Sequence, residues 1–212
     1  MGFVMAKKIR VAHAGDGFTA AIIYGPQRLG KTSYAAQVLY EIYGDWDEVL
    51  KYTVFDLKEV VELLSHSVKT TTKLPAICWD DCGVHANKML YFSNRALTQY
   101  LTNLVDVVGI SLGGLLMTTP SPSNLLKALR GYEFYRCKVF NDGGSRRHAT
   151  GYLSSLLPSG SRIISREFTD YYDVMLPPEF WYPYKEKRNA YLIKALGQLE
   201  GFLEATPATP GV

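Results

Sequence analysis

The chain has 212 residues, 47% of them hydrophobic and 20% charged, with a formal net charge of +3. That is enough apolar material for one sizeable α/β core and too little chain for two full domains; the mild basic excess permits a nucleic-acid partner without demanding one. Cys78, Cys82 and Cys137 are an odd set without paired metal-ligand spacing, which argues for structural thiols in a reducing compartment. The N-terminus lacks a secretory pattern, Ala6 stands where a myristoylation signal needs Ser or Thr, and the apolar run from Val107 to Met117 is too short to span a bilayer. A cytoplasmic protein without a membrane span is the expectation.

Residues 1–17 read as a basic, glycine-punctuated lead-in, with Asp16-Gly17 as a turn into the first strand. Phe18 to Tyr24 (FTAAIIY) is a short apolar run carrying β-branched residues, and Lys31 to Tyr43 has the spacing of an amphipathic helix. Between them stands Gly25-Pro26-Gln27-Arg28-Leu29-Gly30-Lys31-Thr32, two glycines separated by four residues and followed by Lys-Thr. Glycines at those positions let the backbone wrap round a phosphate with its N–H groups inward. Lys31 supplies charge for the outer phosphates and Thr32 a magnesium ligand. Ser33 falls in the first helical turn, whose N–H groups and dipole favour an anion. Gly25 to Ser33 are the expected nucleotide-binding residues, with Arg28 facing solvent or a partner.

Gly44-Asp45 ends this helix. Lys51 to Phe55 reads as a second strand, Asp56 as the N-cap of a helix from Leu57 to His66, and Lys69 to Lys73 as a polar loop. Leu74 to Trp79 is an apolar run ending in Asp80-Asp81. Carboxylates at the end of a buried strand emerge where a parallel sheet presents its ligands, so Asp80 is expected in the magnesium shell and Asp81 as the base that activates water. Solvated acids at a strand-to-loop turn are the competing reading.

Asn87 to Phe92 is a connection, and Asn94 to Val107 has helical spacing, with Leu97, Leu101 and Leu104 on one stripe. Leu112 to Thr118 reads as a fourth strand whose two glycines suggest close helix approach. Thr118 or Thr119 at its end would contact a reacting phosphate or water, unless Thr-Thr-Pro is merely a turn. A short helix from Leu125 to Arg130 and a fifth strand from Tyr135 to Phe140 follow. Asn141 to Gly144 is a tight turn, and Thr150 to Leu156 with Arg162 to Phe168 form a hairpin across Pro158-Ser159-Gly160. Arg146, Arg147, Arg162 and Arg166 cluster there in sequence. Pro177-Pro178 introduces a long helix from Glu179 to Ala205, and residues 206–212 are a frayed tail.

This arrangement of strand, glycine loop, helix and acid-tipped strand resembles the P-loop ATPases of the additional-strand class, which includes RecA-like, AAA+ and FtsK/HerA-like motors. The resemblance covers residues 18–140. It implies a three-layer α/β fold with a mainly parallel five-stranded core in the order 5-1-4-3-2, to which the residue patterns add a C-terminal hairpin and helix over residues 141–205. Trp79-Asp80-Asp81-Cys82-Gly83-Val84-His85 looks similar to small ATPases of archaeal viruses and plasmids. By resemblance, Lys31 neutralises the β and γ groups of ATP, Thr32 and Asp80 bind Mg2+, Asp81 takes the catalytic acid's place in a shorter form than the usual Glu, and Thr118 or Thr119 matches the sensor. An arginine from a neighbouring subunit often completes such sites; Arg130 is the candidate, against a plain surface arginine at a helix end.

The leading expectation is ATP hydrolysis by a homo-oligomer that moves or remodels DNA, with the four hairpin arginines on phosphates. A nucleotide or nucleoside kinase would use the same arginines as a mobile lid, and a nucleotide-gated adaptor would hydrolyse little. A GTPase is disfavoured, because Asn87-Lys88-Met89-Leu90 lacks the acid of a base-reading segment.

Overall fold

The computed structural model describes residues 2–82 and 95–205. Along the chain run α1 (Val4–Ala14), β1 (Thr19–Tyr24), α2 (Lys31–Tyr43), α3 (Trp46–Lys51), β2 (Thr53–Val54), α4 (Leu57–Thr70), β3 (Ile77–Trp79), α5 (Arg95–Val107), β4 (Gly114–Thr119), α6 (Lys127–Gly131), β5 (Tyr135–Gly143), β6 (Arg146–Leu156), β7 (Arg162–Asp173) and α7 (Pro178–Ala205). One seven-stranded sheet in the order β2-β3-β4-β1-β5-β6-β7 organises this mixed α/β chain. The pairs from β2 through β5 are parallel. The two that follow, β5–β6 and β6–β7, are antiparallel.

The central strands are covered on both faces, which is why β1 and β4 read as continuous apolar runs rather than alternating ones. Ile22, Leu115 and Met117 pack with Val60 and Leu64 of α4 and Leu101 and Val105 of α5. The opposite face meets α1 and α2. A Cβ at Gly114 would lie 2.6 Å from Ile9 Cγ2, and one at Gly113 equally 2.6 Å from His13 Cβ. The helix whose close approach the two glycines imply is therefore α1.

Residues 1–17 are thus not a lead-in. Met5, Ala6 and Ile9 of α1 are fully buried. Lys7, Lys8 and Arg10 conceal that short stripe in the sequence, and the cap comes from far away: Asp170 accepts the N–H groups of Val4 at 2.8 Å and Met5 at 3.2 Å. Asp45 is a helix N-cap for α3, accepting from the Asp47 N–H, rather than part of a plain turn. The second strand shrinks accordingly to Thr53–Val54, while α4 runs on to Thr70, beyond the expected end at His66. In place of a helix from Leu125, a 3-10 turn spans Pro122–Asn124 and α6 starts at Lys127.

The expected hairpin forms with longer arms, and it continues the sheet: β5 pairs with β6 from Arg136↔Tyr152 to Gly143↔Arg146. The division into compact units falls between Leu176 and Pro177 rather than after residue 140. In the second unit, Pro183 sits inside α7 and Tyr184 stacks with Phe180 and Trp181 at centroid distances of 5.5 and 5.8 Å. The expected connection from Asn87 to Phe92, Asn94 and the tail lie outside the described residues. Among the described residues, no helix is long and apolar enough to cross a membrane.

Candidate functional site

The glycine loop joins the end of β1 to the start of α2. Gly25 (φ 151°) and Gly30 (φ 95°) adopt backbone conformations that side chains avoid, and Arg28 is left-handed at φ 60°. Pro26, Gln27 and Arg28 are exposed, Leu29 is half-buried and Gly25 is buried. Lys31, only 7% exposed, curls its ammonium back into the loop, donating to the carbonyls of Gly25 at 3.1 Å and Pro26 at 2.9 Å. Gly30 stands at the N-cap of α2 and has no side chain to bond the first N–H groups, which face the loop. A buried cation beside a helix N-terminus is a setting for an anion.

Register explains how the acids arrive. Trp79 pairs with Met117, so the next residues, Asp80 and Thr118, come level with each other. Alternation turns Thr118 to the same face as Gly114, the face that α1 covers. There Thr32 Oγ1 donates to both Asp80 oxygens, at 3.1 and 3.2 Å, across 48 residues. Asp80 and Thr118 are both 0% exposed. Thr118 Oγ1 donates to Asp80 Oδ1 at 2.5 Å and accepts the Asp81 N–H at 2.8 Å. Asp81 itself turns the chain away at φ 49°, a costly value for a residue with a side chain.

Thr118 therefore supports the two acids from within. Thr119 is also fully buried, its hydroxyl donating to the Ser121 carbonyl at 3.2 Å. Arg130 folds back on the turn that precedes its helix, Nε donating to the Leu125 carbonyl at 3.0 Å. The four arginines do not meet. Arg146 pairs with Asp173 at the root of the hairpin, whereas Arg162 pairs with Leu156 and Arg166 with Tyr152 toward its tip. Ten residues of strand separate Arg146 from Leu156, about 33 Å. Sequence proximity was a poor guide because a hairpin carries residues near its turn away from those at its ends.

Thr32 and Asp80 fit a magnesium ion, since a hydroxyl and a buried carboxylate in contact are hard oxygen donors. Among the described residues no group of three or more His, Cys, Asp and Glu gathers as a metal cage. Such a sparse donor set suits an ion that takes its other ligands from phosphate and water. The thiols of Cys78, Cys82 and Cys137 are free and buried, and burial pushes all three pKa values up. The residues missed by sequence reasoning are Tyr172 and Val174, which stand against Gly30 beside the expected Arg147. No local pattern marks them.

No family model matches the chain. It is 26% identical over 221 residues to uncharacterized protein B-251 of Sulfolobus spindle-shape virus 1, covering 97% of this chain and 87% of that one. It is 30% identical over 115 residues to uncharacterized protein ORF286 of Acidianus two-tailed virus, covering 54% of this chain and 40% of that longer one. Both relatives are archaeal viral proteins. Among solved structures, the N-terminal domain of zonular occludens toxin from Neisseria meningitidis matches 72% of this chain and 95% of that one, with a TM-score of 0.45 and 12% identity.

Proposed function

We propose that this chain is a magnesium-dependent P-loop ATPase of the additional-strand class, working as a homo-oligomer that couples ATP hydrolysis to DNA handling. One observation carries the reading: Thr32 of the glycine loop hydrogen-bonds Asp80, although β4 lies between β1 and β3 in the sheet. A glycine loop arising by chance has no reason to meet a buried acid on a strand two places away.

Each residue then has a task. Lys31 exchanges its loop carbonyls for phosphate oxygens, and the N–H groups at the start of α2 hold the rest of the charge. Thr32 and Asp80 would hold magnesium, which when bound neutralises phosphate charge. Thr118 keeps the Asp80 carboxylate in place and fixes the backbone of Asp81, so that Asp81 orients the attacking water and takes its proton. Arg130 of a neighbouring copy remains the candidate to stabilise the transferred phosphoryl group. For DNA, the exposed Arg162 and Arg166 are better placed than Arg147 to meet a backbone without reading bases. The kinase alternative loses support, because arginines strung along a continuous ladder do not form one lid over the loop.

The experiment is phosphate release from magnesium-ATP, with and without DNA, by wild type, Lys31→Ala and Asp81→Asn. Lys31→Ala should lose nucleotide binding. Asp81→Asn should still bind and slow turnover by about 10²–10⁴-fold. Phosphate transfer to a nucleoside would select the kinase, binding without turnover the adaptor, and a wild type that binds no ATP would end the reading.

A further inference from the structure

The root of the β6–β7 hairpin grips the glycine loop and the helix behind it. Tyr172 donates its hydroxyl to the Gly30 carbonyl at 3.0 Å. Ser33 Oγ donates to the Val174 carbonyl at 3.0 Å, Gln37 Nε2 to the Asp173 carbonyl at 2.6 Å, and the Tyr34 hydroxyl to Asp170 Oδ2 at 2.7 Å. Gly30, Ser33, Tyr34 and Gln37 follow the spacing of one helix stripe, so the end of β7 lies along α2. The packing is close: a Cβ at Gly30 would come within 2.6 Å of Val174 Cγ1 and 3.7 Å of Arg147 Cγ.

Tyr172 acts on a particular peptide. The Gly30 carbonyl also accepts the Tyr34 N–H at 3.0 Å, the first hydrogen bond of α2. A trans peptide is planar and points its C=O and N–H in opposite directions. Anchoring the Gly30 carbonyl from outside therefore fixes the direction of the Lys31 N–H at the start of α2. At its other end the hairpin leaves the core. Arg162 to Glu167 are all exposed, Ile164 by 66%. From Asp173 to Arg162 the strand reaches about 35 Å.

Resting on the nucleotide reading above, we infer that Tyr172 is a positioning residue for the phosphate site, and that its bond to Gly30 couples nucleotide occupancy to the hairpin. Linkage makes the coupling reciprocal: whatever the anchored root adds to nucleotide affinity, bound nucleotide adds to the hold on the root. The exposed tip thus sits on a strand whose base responds to the state of the loop.

The test uses the full chain with a fluorescent, non-hydrolysable ATP analogue and magnesium, and reads both affinity and amide hydrogen exchange over residues 168–174. Tyr172→Phe removes one hydroxyl. It should weaken binding about fivefold, the worth of one neutral hydrogen bond, raise KM for ATP while kcat stays within about twofold, and reduce the nucleotide-induced protection of β7. Gln37→Ala breaks a root bond two helical turns from the loop and should reduce the same protection, which keeps the test decisive should Tyr172→Phe fold poorly. Unchanged affinity in Tyr172→Phe, or undiminished protection in both variants, overturns the inference and leaves the nucleotide reading standing. A wild type that binds no analogue overturns both.

Discussion

Thr118→Val keeps the shape of a fully buried side chain and removes only its hydroxyl. That hydroxyl donates to Asp80 Oδ1 at 2.5 Å and accepts the Asp81 N–H at 2.8 Å. A hydrogen bond to a charged group contributes about 1.5–3 kcal/mol, and a backbone donor left without its acceptor costs about 1–3 kcal/mol more. Because Asp81 is only half-buried, the lower end applies to its N–H, and the two effects share one atom and do not simply add. The expected loss is about 3 kcal/mol. With a urea dependence of about 2–3 kcal/mol per molar for a chain of this size, the unfolding midpoint should fall by about 1–1.5 M. Equilibrium urea unfolding followed by tryptophan fluorescence measures it, and Thr118→Ser, which keeps the hydroxyl, should recover most of the loss. A Thr118→Val midpoint within about 0.3 M of wild type would refute the claim that Thr118 holds the two acids in place.

Two further expectations concern the frame around the site. A Cβ at Gly151 would lie 2.3 Å from the ring of Phe168, its partner across the β6–β7 ladder, so Gly151→Ala should cost about 1–3 kcal/mol by overpacking. Phe168→Leu should recover part of that cost in the double variant, and strict additivity in a urea-unfolding cycle would contradict the contact. Burial raises the pKa of Tyr34, Tyr43 and Tyr172 above the ordinary value. Unfolded tyrosines lose their protons near pH 10 while these keep theirs, so the native state binds more protons and stability falls as pH rises above about 10. The slope should approach roughly 1.4 kcal/mol per pH unit for each of the three, and a urea midpoint that stays flat between about pH 9 and 11 would count against their burial.

Local features were legible where a short window carries the whole signal. The apolar run before Gly25, the glycine spacing, the helical period after Lys31 and the acids closing the strand at Trp79 are each encoded within a dozen residues, and the structure contains the corresponding strand, loop, helix and strand end. Helix α1 was illegible for the opposite reason: its cap is Asp170, 166 residues from Val4. The hairpin arginines misled because sequence closeness is not closeness along a folded ladder.

What the sequence determined by itself is therefore a set of parts: which segments wind, which extend, and which side chains stand at their ends. Only the tertiary structure decided what those parts touch. It put β4 between β1 and β3, brought Asp80 to Thr32 across 48 residues, turned Thr118 inward, and set Tyr172 on Gly30 across 142 residues. The physical reason is that periodicity and caps act between neighbours along the chain. Contacts of that reach depend on strand order and register, which arise only when the whole sheet closes on its core.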